Sequence, residues 1–475
     1  MFRFGTGGWR DIIGDGFTKK NIQLLAAAMC VKMKREGLAD KGIVMGYDRR
    51  FLSKETMRWC GQVFAAAGIT ASLVNKSSPT PLIMFYVMRH NLPYGMMITA
   101  SHNPAIYNGI KVFTEGGRDA DVTVTGEIEK IAESIDPDTI EEMDYDKAVA
   151  AGLIREIYPI NEYLDDILEK INVKAIREAN LRVAFDPMFG VSEVPLQILL
   201  LTTRCDVDML HNTHDALFGG RMPAPNAATM RQLSTRVMDY RFQIGIATDG
   251  DADRLGVIDD TGHYLHANDI LVLLYYYMLR YRGEKGAVVR NIATTHMLDR
   301  VAERFGQDCY EVPVGFKYIS AKMQETDALI GGESSGGLTV RGHINGKDGI
   351  YAAMLLVEMI AVTGRKLSEM FEEIRRECGE IHMEERSYHF SLEKKQALRE
   401  LLFTEKQLPV FTEEIDHISY LDGVKVYFKN GGWVIARFSG TEPLLRIFSE
   451  MPTADEAAAV CRLFETFLEI IQDPQ

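Results

Sequence analysis

The chain has 475 residues, more than one ordinary domain of about 100–200 residues holds, so three or four domains are expected. Hydrophobic residues at 46% and charged residues at 25% are the mix of a soluble chain that can bury real cores. A net charge of −14 argues against a nucleic-acid partner, because a phosphate backbone wants a basic face; a small anionic substrate is allowed where basic residues gather locally.

The opening stretch, Met1 to Arg10, lacks the basic-then-apolar layout of a signal peptide. Ile22, Leu25, Met29 and Met33 recur at helical spacing after a plausible N-cap at Thr18. A short apolar strand is predicted over Ile43 to Tyr47, then a helix from Ser53 that stops at Gly68, then a strand over Met96 to Thr99. The pattern resumes at Leu181 to Phe185, Gln243 to Ala247 and Ala287 to Arg290, each followed by a helical stretch. Such alternation predicts α/β layers with largely parallel sheets. The greasiest run, Ile270 to Leu279, is half the ~20 residues needed to cross a bilayer and reads as a buried helix, so no membrane partner is expected. After about residue 376 the character changes. Val424, Val426 and Phe428 alternate, Asn430-Gly431 offers a hairpin turn, Trp433 to Phe438 and Leu444 to Phe448 continue the strands, and Thr453 with Glu456 forms a capping box for a last helix. The six cysteines (Cys30, Cys60, Cys205, Cys309, Cys378, Cys461) contain no C-x-x-C pair and read as reduced thiols of a cytoplasmic protein.

Composition shifts place boundaries in the acidic, proline-interrupted stretch Ile135 to Asp146, near Gly256 where a strand-turn-strand begins, and between Arg375 and Tyr388 where charge density rises. The expected domains are therefore 1–145, 146–256, 257–375 and 376–475: three α/β domains and a C-terminal α+β domain with helices on one face of an antiparallel sheet.

Four segments carry chemistry. Asp249-Gly250-Asp251-Ala252-Asp253-Arg254 follows a strand, and its three alternating carboxylates, separated only by Gly and Ala, can turn toward one hard cation, Mg²⁺ before Ca²⁺ or Mn²⁺. An EF-hand would need Gly where Arg254 stands and Glu where Asp260 stands; a solvated acidic turn is the plainer alternative. Thr99-Ala100-Ser101-His102-Asn103-Pro104, with Tyr107-Asn108-Gly109-Ile110-Lys111 after it, puts a hydroxyl at a strand's carboxyl end, where α/β proteins place reacting groups, though a Ser/Asn turn before proline reads the same way. Without G-x-S-x-G it is no hydrolase elbow. Gly331-Gly332-Glu333-Ser334-Ser335-Gly336-Gly337 offers a carboxylate and hydroxyls with little bulk, suited to reading sugar hydroxyls. Arg437-Phe438-Ser439-Gly440-Thr441-Glu442-Pro443 combines a guanidinium, hydroxyls and free amides, as a phosphate dianion requires.

Taken together, and with the opening Gly5-Thr6-Gly7-Gly8-Trp9-Arg10 similar to G-T-x-G-x-R, these segments resemble the α-D-phosphohexomutase family over nearly the whole chain. The resemblance implies three related α/β domains and a fourth, more mobile one around a central cleft. By similarity, Ser101 would carry a phosphoryl group, and Asp249, Asp251 and Asp253, with a phosphoserine oxygen of Ser101, would hold Mg²⁺. Glu333 and Ser335 would contact sugar hydroxyls, and Arg437, Ser439, Gly440 and Thr441 would grip the phosphate that is not reacting. Arg10, Lys111 and Lys317 match basic positions facing the substrate, His102 and Lys111 are the alternatives for proton transfer, and Arg254 is a phosphoserine-side contact. The implied activity is interconversion of glucose 1-phosphate and glucose 6-phosphate by way of glucose 1,6-bisphosphate, in a monomer or homodimer. A phosphomannomutase or broad-specificity phosphohexomutase is the alternative. A non-catalytic relative would be expected to have lost the serine loop or the aspartate triad. Phosphoglucosamine mutases commonly end the sugar loop in Gly-His, and this chain does not. His343, six residues past Gly337, reads as a surface-loop residue rather than a replacement for that histidine.

Overall fold

The computed structural model describes residues 2–5, 7–438 and 444–470. Its strands assemble into four sheets, one per quarter of the chain. In the first, β1 (Phe4–Gly5), β2 (Gly8–Ile12), β3 (Ile43–Tyr47), β4 (Ala71–Val74), β5 (Tyr94–Ile98), β6 (Tyr107–Thr114), β7 (Arg118–Asp119) and β8 (Ile154–Ile157) take the order β1-β2-β6-β5-β3-β4-β8, with β7 paired to β6. The run β5-β3-β4-β8 is parallel and the β6 side antiparallel. The second sheet, β9 (Arg182–Asp186), β10 (Asp206–Met209), β11 (Ile244–Thr248), β12 (Leu255–Ile258) and β13 (Tyr264–Leu265), has the order β10-β9-β11-β12-β13. The third, β14 (Val288–Asn291), β15 (Cys309–Val312), β16 (Ile330–Gly332) and β17 (Leu338–Val340), runs β15-β14-β16-β17. Both keep three parallel strands and end antiparallel.

The last sheet is antiparallel throughout: β18 (His382–His389), β19 (Ile415–Ser419), β20 (Val424–Phe428), β21 (Trp433–Phe438) and β22 (Leu444–Met451), in the order β18-β22-β21-β20-β19. The helix Ala454–Leu468 covers one face and carries the expected Thr453–Glu456 capping box. From the other face Trp433, Ile435 and Phe448 pack on Ile292 and Ala293 of the third domain. The architecture is thus the expected one, three α/β domains followed by an α+β domain.

The periodicities have direct structural counterparts. Helix α1 (Lys19–Arg35) buries Ile22, Leu25, Met29 and Met33, and Thr18 caps it by accepting from the Asn21 amide. Helix α2 (Ser53–Ala66) packs on the Ile43, Met45 and Leu73 face of the first sheet, and α3 (Thr80–Arg89) on the opposite Val44, Val74 and Met97 face. Helices Ala267–Arg280 and Gly349–Thr363 are apolar nearly all round and lie buried, as such helices must. Among the described residues no helix is long and apolar enough to cross a membrane.

Two of the expected breaks fall elsewhere. The acidic segment before residue 146 does not leave the first domain: the Met143 amide donates to Gln62 O at 3.0 Å, and β8 then pairs with β4. The strand-turn-strand near Gly256 does not open the third domain but closes the second sheet, because β12 pairs with β11 and β13 with β12. In both places local composition suggested a boundary, and edge-strand pairing decided otherwise.

Candidate functional site

Ser101 sits just beyond the carboxyl end of β5, buried, with a φ of +52°. The left-handed region costs a residue with a Cβ about 1–2 kcal/mol, so the surroundings must hold it there. They do so through Arg50, whose guanidinium donates to the carbonyls of Ser101 at 2.7 Å, Asn103 at 2.6 Å, Pro104 at 2.9 Å and Tyr107 at 3.0 Å. The Ser101 amide donates to Thr99 Oγ1 at 2.8 Å. Its hydroxyl donates to Asp249 Oδ2 at 2.7 Å and lies 3.3 Å from His102 Nδ1.

The aspartate loop follows β11. Ala252 has a φ of +62°, which turns the chain back so that Asp249, Asp251 and Asp253, all buried, offer oxygens within 4.8 Å of one another. Asp249 Oδ1 accepts the amides of Asp253 and Arg254, each at 3.1 Å. Asp251 accepts from Thr80 Oγ1 at 2.5 Å. Gly250 is required for the approach of the two loops: a Cβ there would stand 2.8 Å from the Ser101 carbonyl oxygen. Asp251 Oδ1 and Asp253 Oδ1 are buried without hydrogen-bond partners among the described residues. Converging carboxylates with unclaimed oxygens fit a hard divalent cation such as Mg²⁺.

Cations surround this acidic centre. Lys111 Nζ lies 2.6 Å from both Asp251 Oδ2 and Asp253 Oδ2, and Lys347 Nζ lies 3.1 Å from Asp253 Oδ2. Burial works against ionising Asp253, yet Lys111, Lys347 and Arg254 hold its carboxyl well below the usual range. Burial, then Asp251 and Asp253, push the Asp249 carboxyl well above it. Arg10 donates to Asn103 Oδ1 at 2.7 Å, and burial, then Arg254, lower the pKa of its guanidinium. His102 is held neutral by burial, then by Arg254 and Arg10. Two guanidiniums near enough to act on one another and on His102 leave positive potential beside the serine loop, where an anion would sit.

Of the remaining predicted residues, Lys317, Glu333, Ser335 and Arg437 are described. Lys317 shares a cavity of about 260 Å³ with Lys111, Gly8 and Asp119. In the segment Gly331 to Gly337 Ser335 Oγ donates to Glu333 Oε1 at 2.7 Å, and the segment is tied to the aspartate loop by Leu255 N donating to Gly336 O at 3.3 Å. Arg437 donates to Asp422 Oδ1 at 3.1 Å, while Asp422 Oδ2 accepts the Val314 amide at 2.9 Å, linking the fourth domain to the loop that leads to Lys317. Ser439, Gly440 and Thr441, and Thr6 of the opening motif, lie outside the described residues.

One expectation is corrected. His343 is not on the surface: its side chain is buried, 2.7 Å from Asp348 Oδ2 and packed on the Tyr351 ring, and it supports the start of the helix Gly349–Thr363. Sequence reasoning also passed over Arg50, Thr80 and Lys347. Asp48-Arg49-Arg50 directly after β3 was a usable signal, since charged residues at a parallel strand's carboxyl end face the crevice. Nothing local marks Thr80 or Lys347.

Comparisons with known proteins agree across the length of the chain. Family models described as phosphoglucomutase/phosphomannomutase alpha/beta/alpha domains I, II and III match residues 1–139, 161–262 and 266–378, and the C-terminal domain model matches 393–466. A phosphoglucomutase/phosphomannomutase of Thermococcus kodakarensis is 29% identical over 98% of this chain and 98% of its own. A candidate phosphoglucosamine mutase of Methanocella arvoryzae is 31% identical over 97% of this chain and 95% of its own. The crystal structure of a candidate phosphomannomutase from Thermus thermophilus superimposes with a TM-score of 0.85 at 28% identity, covering 98% of this chain and 99% of that one.

Proposed function

The chain belongs to the phosphoglucomutase/phosphomannomutase family, and from that premise we propose that it interconverts glucose 1-phosphate and glucose 6-phosphate through a phosphoserine at Ser101 and a glucose 1,6-bisphosphate intermediate. The observation that carries this reading is the Ser101 hydroxyl standing 2.7 Å from Asp249 inside a buried aspartate triad ringed by Arg10, Arg254, Lys111 and Lys347.

Phosphoryl transfer passes through a loose, charge-spread transition state, so the protein's task is to position and neutralise. Asp249, Asp251 and Asp253, with an oxygen of phospho-Ser101, would hold Mg²⁺. The ion, when bound, supplies positive charge at the transferring oxygens. Arg254 and Arg10 receive the phosphoryl oxygens from the protein side. In the forward half-reaction the Ser101 Oγ–P bond breaks, the sugar hydroxyl oxygen gains the phosphorus, the sugar hydroxyl's proton leaves, and Ser101 Oγ takes up a proton to become the free hydroxyl. His102 and Lys111 are the two groups placed to move these protons: His102 is neutral beside the Ser101 hydroxyl, though burial and the guanidiniums oppose its protonation, and Lys111 is an ammonium held between Asp251 and Asp253. The bisphosphate then turns round and returns its other phosphoryl group to Ser101.

Glu333 and Ser335 read sugar hydroxyls in either pose, Lys317 faces the sugar, and Arg437 with Ser439, Gly440 and Thr441 holds the far phosphate. Closure of the last domain over the cleft keeps water from the phosphoserine. The setting is the cytoplasm, in keeping with six free cysteines.

The glucose preference rests on the sugar loop, which lacks the Gly-His ending of phosphoglucosamine mutases. Relatives named for mannose and glucosamine phosphates keep a broad-specificity mutase as the second reading. A kinetic panel of glucose, mannose and glucosamine 1-phosphates, with sugar bisphosphate added, separates the two: glucose 1-phosphate should give the highest kcat/KM, and a higher value for either competitor overturns the glucose assignment. Purified protein should carry about 80 Da of extra mass as phosphoserine. Ser101→Ala should lose both that mass and turnover, and a Ser101→Ala protein of normal turnover would sink the mechanism itself.

A further inference from the structure

The first sheet contains a crevice that the chemistry above does not use. Strands β3 and β4 are parallel neighbours, yet the helices that follow them, α2 and α3, pack on opposite faces of the sheet. Loops leaving adjacent parallel strands toward opposite faces splay apart and open a crevice outside the carboxyl ends of the strands. The serine loop follows β5, the neighbour on the other side of β3.

Here the splayed loops, Tyr47 to Glu55 and Asn75 to Pro79, bound a cavity of about 730 Å³ roofed by Val191, Val194 and Pro195 of the second domain. That volume lies within the range of about 300–1,000 Å³ usual for small-molecule sites. Its polar wall is cationic. Arg49, Arg50, Lys54 and Lys76 line it against Asp48 and Glu55. Glu193 pairs with Arg49 and Asp48 with Arg50. The charges left without an ion pair among the described residues are the Glu55 carboxylate and two ammoniums, Lys54 and Lys76, the latter 4.8 Å from the centre of the Tyr158 ring, so the lining keeps a net positive balance. The Ser77 hydroxyl and the Asn75 side-chain amide add donors that no described neighbour has claimed. Apolar and aromatic lining comes from Tyr158 and Ile160 together with the second-domain residues.

From this combination of ammoniums and hydrogen-bond donors with apolar and aromatic lining, we infer that the crevice binds a phosphate monoester with an aromatic or apolar body, of nucleoside-monophosphate size, separately from the hexose phosphate. The site is coupled to the serine loop by one side chain. Arg50 lines the cavity and at the same time donates to the carbonyls of Ser101 and Asn103. A ligand that shifts the loop after β3 therefore shifts the hold on Ser101, and occupancy changes turnover.

The probe is adenosine 5′-monophosphate, titrated calorimetrically into the full chain with glucose 1-phosphate saturating, and assayed for its effect on kcat. Wild type should bind one molecule per chain and change its turnover on binding. The Lys54→Glu/Lys76→Glu variant should keep its turnover without the nucleotide, bind it about tenfold or more weakly, and lose the effect on kcat. Ser77→Trp, which fills the cavity without touching the charges, should do the same. The inference is overturned by absence of binding to wild type, by displacement with glucose 1-phosphate, by equal affinity in the charge-reversed and filled variants, or by binding that leaves turnover unchanged.

Discussion

Arg50 shows how much one side chain can decide in this molecule. Its guanidinium satisfies four carbonyls of the segment from Ser101 to Tyr107, an arrangement a lysine could not reproduce because it lacks the planar fork of donors. Removing it frees Ser101 to leave the left-handed region and draws its hydroxyl away from Asp249. Arg50→Met should therefore lower kcat by about a hundredfold, the scale of a misplacement of about one ångström, while KM for the sugar phosphate moves little. Steady-state kinetics with intact-mass measurement of the phosphorylated fraction check this. A change confined to KM would show that Arg50 serves binding instead. Arg50 was legible as a charged residue at the end of β3, but its task was not, since the carbonyls it holds lie 51 or more positions away.

At the scale of elements, the helix Gly349–Thr363 depends on its first turn. Asp348 Oδ1 accepts the amides of Ile350 and Tyr351, both at 2.9 Å, and Oδ2 accepts from Tyr163 Oη at 2.7 Å and faces His343 Nε2 at 2.7 Å. Asp348→Ala removes a cap and strands a buried phenol, and should destabilise the fold by on the order of 3 kcal/mol, read from the denaturant midpoint. A loss within about 0.5 kcal/mol would mean that water replaces the carboxylate. The same element explains the misplacement of His343. Its sequence neighbours, Arg341, Gly342 and Asn345, look like an exposed loop, and only the packing of Tyr351 and Tyr163 around Asp348 turns it inward. Element types, by contrast, were readable wherever period and caps agreed, as in α1 and the final helix.

The whole molecule is closed by the contact between its third and fourth domains, where Arg290, Glu311 and His296 meet Lys425, Tyr427 and Trp433. Burial, then Arg290 and Lys425, lower the His296 pKa to about 3. Its unfolded value is about 6.5, so below that pH the unfolded chain takes up a proton that the folded chain refuses. The stability supplied by the neutral imidazole is thus complete above about pH 6.5 and is lost as the pH falls toward about 3. His296→Asn should lose less stability than wild type between about pH 7 and pH 5, measured by chemical denaturation at both. An equal loss in the two proteins would remove His296 from the account.

Period, turn chemistry and spacing are local properties, and they were enough to give the α/β class with a C-terminal α+β part; the segments bearing Ser101, the three aspartates, Glu333 and Arg437 stood out only through their joint resemblance to a family. Packing in three dimensions was needed to assign β8, β12 and β13 to the sheets before the expected breaks. It also brought Ser101 to Asp249 across 148 positions, and supplied Arg50, Thr80 and Lys347 as partners. Edge pairing and the neutralisation of buried charge are settled by what lies adjacent in space, and a one-dimensional pattern carries no record of that.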